Sequence, residues 1–269
     1  MTEPIAIRKA VTPDDYRACQ EAQRRAWSLV DDSYIIPIAT MVGAQHHGGL
    51  VLGAFLDDGT AAGVSFAFLG KLDGRTVLYS QLTGVVPGHQ GTGLGFRLKE
   101  AQREYAKAEG LAALAWSFDP LQAGNARFNL AKLGARAIRY VDDMYGPRTD
   151  ALNAGVPTDR LIAEWPVDRL PRNPIIAPGA LPRLIEGGDS PRAVAISDAP
   201  ALLLEIPADI ANIRAADPAL AERWRVAVGQ AFRSAFAAGY RAEDFVREDR
   251  LQGYILLSIP ATAVARATR

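Results

Sequence analysis

"VVPGHQGTGLGFRLK", residues 85–99, decides how this chain is read. A β-branched run stops at Pro87, glycines follow at 88, 91, 93 and 95, and a charged amphipathic segment then begins. A strand that runs into a glycine-rich turn and then a helix is one way to hold a phosphate. The helix N-terminus offers unpaired N–H groups and a positive dipole end. Three such loops have distinct signatures. A P-loop requires G-x-x-x-x-G-K-[ST]. Gly88 and Gly93 have that spacing, but Leu94 and Gly95 stand where the lysine and the hydroxyl belong. A dinucleotide loop requires G-x-G-x-x-G; Gly91-Thr92-Gly93 begins one and Phe96 breaks it. The third pattern, [QR]-x-x-G-x-[GA], is satisfied by Gln90, Gly93 and Gly95. Its glycines remove the Cβ atoms that would hold a pyrophosphate away from the backbone amides. A tight turn with no ligand is the competing reading of the same residues.

The flanks of the loop give an element order. Ile5–Lys9 alternates and predicts a short strand. Thr12-Pro13 is an N-cap with proline at the first helical position, so a helix is expected to about Trp27, and Pro37–Gln45 suggests another. Leu50–Leu56 and Ala62–Gly70 are apolar runs joined by the turn signal "DDGT", and Val77–Val86 is a strand leading into the loop. After the loop, Leu94, Leu98, Ala101, Tyr105 and Ala108 form an apolar stripe, with Arg97, Lys99, Glu100, Arg103, Glu104 and Lys107 covering the rest. Leu111–Ser117 reads as a buried strand, Gly124–Leu133 as a helix, and Ala135–Val141 and Arg160–Trp165 as further strands. Prolines then crowd residues 166–191. Beyond them Ala201–Ile206 is a strand, Asp217-Pro218 starts a helix stopped by Gly239, and Phe245 and Tyr254–Ile259 mark one or two more strands. The expected division is 1–168, a linker over 169–195, and an α/β extension over 196–269.

Bulk composition narrows the function. The chain has 269 residues and is 49% apolar, enough for a sizeable core. Thirty basic and thirty acidic side chains cancel, which argues against a nucleic-acid partner. Cys19 is the single cysteine, the only histidines are His46, His47 and His89, and no metal spacing is visible. No metal is expected. The N-terminus lacks a secretory apolar region and no run approaches the ~20 residues of a membrane span, so a soluble cytoplasmic protein is the expectation.

A second stretch, "WSFDPLQAGNARFNLAKLG" (116–134), carries polar and aromatic residues at the end of a strand. In open α/β folds ligands bind beyond such strand ends. In its helix, Ala126, Leu130 and Leu133 form the core stripe, while Asn125, Phe128, Asn129 and Lys132 lie beside it at helical spacing and suggest a ligand edge.

Over about residues 3–165 the loop signature and element order resemble the GNAT superfamily of acyl-CoA-dependent N-acyltransferases. The resemblance implies an α/β fold with a mixed central sheet flanked by helices and, here, a C-terminal α/β extension. It implies that Gln90, Gly91, Thr92, Gly93, Leu94 and Gly95 hold the pyrophosphate of coenzyme A. It also implies that the strand ending at Val85 and Val86 pairs with the pantetheine arm, with Asn125 and Phe128 on the cofactor side. With "YVDDMYG" (140–146) and "PTDRLIAEW" (157–165), the second stretch is similar to a subgroup of the form WTFDPL…NA.FNL.KLG…YG…PTDR…EW, Ser117 replacing threonine. Some members of that subgroup look like succinyl-CoA:amino acid N-succinyltransferases. The donor implied is therefore acetyl-CoA or succinyl-CoA, and the acceptor a small primary amine, with an amino acid leading.

This chain departs from the wider pattern at the chemistry. Many relatives place a tyrosine four residues before the glycine that ends this helix, where Leu130 stands here. Tyr145, then Tyr140, are the candidates to protonate the departing thiolate. No carboxylate lies on the strand before the loop, which offers Ser80, Gln81 and Thr83; Asp119 is the remaining candidate base, with a turn role as its alternative. A backbone amide near Val85–Val86 is expected to polarise the thioester carbonyl. Trp116 and Phe118 are placed to meet the acceptor, and Arg160, Arg127 and Arg139 to grip its carboxylate. His46 and His47 are a further candidate pair for the acceptor side or a plain loop surface. The small-residue helix at 224–240 suits close packing on a sheet or a dimer face. A non-catalytic acyl-CoA-binding protein is the alternative function, and a nucleotide-dependent enzyme a third.

Overall fold

A computed structural model describes residues 4–148, 155–169, 178–248 and 251–259. The chain forms two compact units, Met1–Trp116 and Ser117–Arg269.

In the first unit the strands β1 (Ala6–Lys9), β2 (Leu50–Phe55), β3 (Ala61–Leu72), β4 (Arg75–Val85) and β5 (Ala113–Phe118) lie in that order. Neighbours are antiparallel except β4 and β5, which are parallel. β2 is apolar along its whole length and buried throughout, as a strand covered on both faces must be. Side chains alternate along β3. Val64 and Phe66 join Tyr16 and Cys19 of α1 (Pro13–Trp27) and Met41 of α2 (Ile38–His46) in one cluster. Gly63, of opposite parity, faces α3 (Leu94–Ala108): a Cβ there would lie 3.2 Å from Leu98 Cδ1. The sheet is thus mixed and carries helices on both faces, the architecture expected. α1 begins where Thr12 predicts. The Thr12 side chain accepts from the Asp15 amide, the Asp15 carboxylate accepts from the Thr12 amide, and Arg8 clamps that carboxylate at 2.7 and 2.9 Å.

The second unit holds a five-stranded antiparallel sheet, ordered β7 (Arg160–Pro166), β6 (Arg136–Val141), β11 (Tyr240–Glu248), β12 (Leu251–Ser258), β10 (Ala201–Glu205). A small hairpin, β8 (Ile185–Glu186) with β9 (Arg192–Ala193), stands apart from it. Two helices follow β10: α5 (Ile210–Ala216) and α6 (Pro218–Ala237), the latter capped by the Asp217 side chain on the Leu220 amide. Phe232 of α6 stacks on Tyr140 and meets Tyr254 edge-on at 5.0 Å. A Cβ at Gly229 would come within 2.7 Å of Tyr140 Oη, so the small residues of this helix serve close approach to the sheet. The units part after Trp116, not within the proline-rich stretch at 169–195. The reason is that the chain beyond 195 shares its sheet with β6 through Ala242↔Ala137. Residues 170–177 of the expected linker lie outside the described residues.

Candidate functional site

The loop after β4 is braced from within. Val86 N–H donates to Ala62 O at 2.9 Å, His89 N–H to Val86 O, and the Thr92 hydroxyl to His89 O at 2.7 Å. Gln90 Nε2 donates to Val85 O at 3.0 Å. The glutamine of the signature therefore clips the loop to the end of its strand. Gly91 and Gly93 hold φ of +77° and +85°, which L side chains rarely adopt, and a Cβ at either would meet nothing within 4 Å. Conformation, not crowding, demands glycine there. Gly93 is the N-cap of α3, and no side chain caps the helix. The opening amides of a 15-residue helix thus follow a hydrogen-bonded turn and take no side-chain cap. One expectation changes: the Val86 amide is spent on Ala62 and is not free to polarise a thioester.

Below the loop, β4 leaves an edge. Its parallel pairing with β5 covers Leu78↔Leu114 and Tyr79↔Ala115, and β4 then continues to Val85. A bulge at Gln81, between Leu82 and Ser80, bends the strand in this stretch.

α3 buries a row that its composition disguises. Leu94, Leu98, Gln102 and Ala106 line up every fourth residue, and Lys99 is buried beside them at 5% exposure. Lys99 was expected on the solvated face; Ala108, expected in the stripe, is exposed. Lys99 Nζ donates to Ser80 Oγ at 2.9 Å and stands 3.9 Å over the Trp116 ring. Ser80 Oγ donates in turn to Gln102 Oε1 at 2.9 Å. Gln102 Nε2 is buried with no hydrogen-bond partner. Burial alone pulls the lysine down to about 7. Trp116 faces this amine from the core and is not an exposed acceptor contact.

In the second unit a different group forms. Tyr145 Oη lies 2.7 Å from Ser117 Oγ, the Tyr145 amide donates to Thr158 Oγ1 at 2.8 Å, and the residue is 38% exposed. Arg160, 8% exposed, has its guanidinium 5.4 Å from that ring and donates to Asp159 O. Burial lowers its proton affinity, opposed by Asp119 and Tyr145. Asp119 accepts the Leu121 amide at 2.9 Å, the turn role, and pairs with Arg225 at 3.1 Å. Arg225, on α6, had no signal in the sequence. Tyr140 donates to Asp159 at 2.7 Å, and burial, then that carboxylate, push its phenol far up. Phe118 is buried.

α4 opens as one α-helical turn, Ala123–Ala126, and continues as a π-helix, Arg127–Lys132. The wider turn breaks the expected stripe: Asn125 and Lys132 are exposed, Phe128 half-buried and Asn129 buried. Leu130 is buried. Arg127 is apart from the Tyr145 group. It lines an open cavity of about 910 Å³ with Trp224, Arg183 and Arg247. Arg139, His46 and His47 are exposed. Among the described residues no helix is long and apolar enough to cross a membrane, and no cluster of ligating side chains could hold a metal.

No family profile matches the chain, and no curated protein matches it in sequence. Solved structures similar to it include the ribosomal-protein-S18-alanine N-acetyltransferase of Escherichia coli, at 20% identity over 64% of this chain and 100% of that one, TM-score 0.48. An N-acetyltransferase of Staphylococcus aureus Mu50 shares 15% over 61% and 99%, TM-score 0.49. The yncA protein of Salmonella typhimurium, solved with acetyl-CoA, shares 20% over 64% and 99%, TM-score 0.49. At these identities the site is read from this chain's own residues.

Proposed function

We propose that this protein is an acyl-CoA-dependent N-acyltransferase acting on a small primary amine, with an amino acid as the leading acceptor. The observation that carries the reading is the braced turn from Val86 to Gly93, which presents the uncapped N-terminus of α3 with no Cβ at Gly91 or Gly93. Such a terminus takes a pyrophosphate through backbone amides and dipole. The stretch of β4 beyond Tyr79 supplies backbone groups to an extended pantetheine arm, as an added strand would use them.

The chemistry follows from direct attack. The neutral acceptor nitrogen adds to the thioester carbonyl, the C–S bond breaks, and the thiolate takes a proton as the amide forms. Tyr145, hydrogen-bonded to Ser117, is the proposed proton donor to the sulfur, and Arg160 the partner of an acceptor carboxylate. Asp119 is bound by the Leu121 amide and by Arg225, so its proposed part is to hold the turn and not to accept a proton. With Leu130 and without a strand carboxylate, orientation of the two substrates carries much of the rate.

The acyl group is tested together with the acceptor. Release of free thiol from acetyl-CoA and from succinyl-CoA, with a mixed amino-acid pool, is the assay. Turnover of either supports the reading and names the donor. Saturable CoA binding with no turnover across the pool replaces the enzyme with an acyl-CoA-binding protein.

A further inference from the structure

The interior of the first unit holds a lysine that the reading above does not use. We propose that Lys99 is the proton acceptor for the incoming ammonium, acting through Ser80; this rests on the acyltransfer reading and adds the base that the sequence lacks.

The environment isolates this amine from other charges. Among the described residues no carboxylate is within ion-pair distance of it. On α3, Glu100 pairs with Arg103 at 3.3 Å, and Arg97 donates to Ile5 O. Glu104 and Lys107 complete the charges of that helix, with Tyr105 as its phenol. β2 and β5 carry no ionisable side chain, β3 only Lys71, and β4 only Arg75 and Tyr79. On β1, Lys9 lies over Tyr105 and Arg8 is clamped to Asp15. A buried amine without a counter-charge favours its neutral form.

The three side chains have two hydrogen-bond arrangements. With Lys99 protonated, Nζ–H donates to Ser80 Oγ and Ser80 O–H to Gln102 Oε1, which leaves Gln102 Nε2 buried without an acceptor. With Lys99 neutral and the amide of Gln102 turned over, Nε2–H donates to Ser80 Oγ, and Ser80 O–H donates to the lone pair of Nζ. The second arrangement gives Nε2 an acceptor and puts Oε1 in the place that Nε2 left. A neutral Lys99 can accept from Ser80 where a protonated one can only donate, so Ser80, itself 3% exposed, is the group through which a proton would pass inward.

Its place on the strand suits the task. Ser80 is the first residue of β4 past the last pair with β5. From there to Val86 is about 20 Å of extended chain, the scale of a pantetheine arm hung from the loop. The reacting end of an acyl-CoA would then lie at Ser80, next to the bulge at Gln81. In the step proposed, an N–H bond of the substrate ammonium breaks, its proton goes to Ser80 Oγ as the Ser80 proton goes to Nζ, and the freed lone pair attacks the thioester. The C–S bond breaks as the amide forms, and the second nitrogen proton goes to the departing thiolate. Lys99 returns its proton to water before the next turnover.

The test uses the full chain. Lysine labelled with 13C and 15N is followed by NMR across pH, with Lys99 assigned by its loss in Lys99→Met. A midpoint near 7 is expected, and an ordinary lysine midpoint overturns the proposal. In parallel, kcat with acetyl-CoA and the amino-acid pool is measured across pH for wild type and Ser80→Ala. Wild-type kcat should rise through pH 7 to a plateau. Ser80→Ala should lose that limb and about 100-fold of kcat, with KM for acetyl-CoA unchanged within about twofold. A Ser80→Ala enzyme with the wild-type profile overturns the role of Lys99 while leaving acyltransfer intact. A wild type that fails to bind CoA overturns the parent reading instead.

Discussion

Lys99 makes a signed prediction about stability that needs no substrate. Its amine is held at about 7 in the folded chain and returns to 10.5 when the chain unfolds. Between those values the unfolded chain binds a proton that the folded chain does not, so stability rises with pH across that window. Below pH 7 both states are protonated and the penalty for burying the charge is constant. From pH 7 to pH 9 the gain approaches 1.36 kcal/mol per pH unit, less the half-titrated portion at the start, or about 2 kcal/mol. Urea unfolding of wild type and Lys99→Met at the two pH values isolates the effect, because every other titrating group contributes equally to both proteins. The wild type should gain about 2 kcal/mol relative to the variant. Equal pH dependence in the two would show that the amine is solvated or paired, and the argument from burial would fail.

Three more outcomes follow from the same packing. Cys19 is fully buried and its thiol is pushed up to about 12, so a native chain should not react with a disulfide reagent at pH 8 until urea exposes it; reaction within minutes in native buffer would contradict the core assignment. Arg225→Ala leaves Asp119 and Asp159 without their guanidinium and should cost about 3 kcal/mol in urea unfolding, whereas a change under about 0.5 kcal/mol would place that pair in solvent. Tyr145→Phe removes the hydroxyl that meets Ser117 and should lower kcat about 100-fold with CoA affinity unchanged; an unaltered kcat would move the proton donor elsewhere.

Periodicity and caps carried the first unit. Thr12-Pro13, the "DDGT" turn and the glycines after β4 are local signals, and the structure starts, turns and stops its elements at them. The errors arose where tertiary packing overrode residue type. Lys99 is charged and reads as surface, yet it is buried beside the every-fourth-residue row of Leu94, Leu98, Gln102 and Ala106. That row was visible once polarity was set aside. The π-helix at Arg127–Lys132 changes the turn without any proline or glycine inside it to announce the change. Arg225 lies 106 residues from Asp119, and no local pattern links them. The proline-rich texture after 165 suggested a boundary, but strand pairing between β6 and β11 ignores it. The glycine turn before α3 was legible because its demands are local backbone demands. The groups around Tyr145 and Asp119 were less so, because they are assembled from distant segments.

The claim on which the account turns is that the loop before α3 holds coenzyme A. Calorimetric titration of CoA into wild type and Gly93→Glu tests it directly. At Gly93 any side chain meets a backbone held at φ +85°, and a carboxylate adds charge where the pyrophosphate would sit. The account predicts saturable binding by the wild type and at least a tenfold loss in the variant, about 1.4 kcal/mol, with cooperative unfolding retained. Equal affinity in the two proteins, or no binding by the wild type, would contradict it.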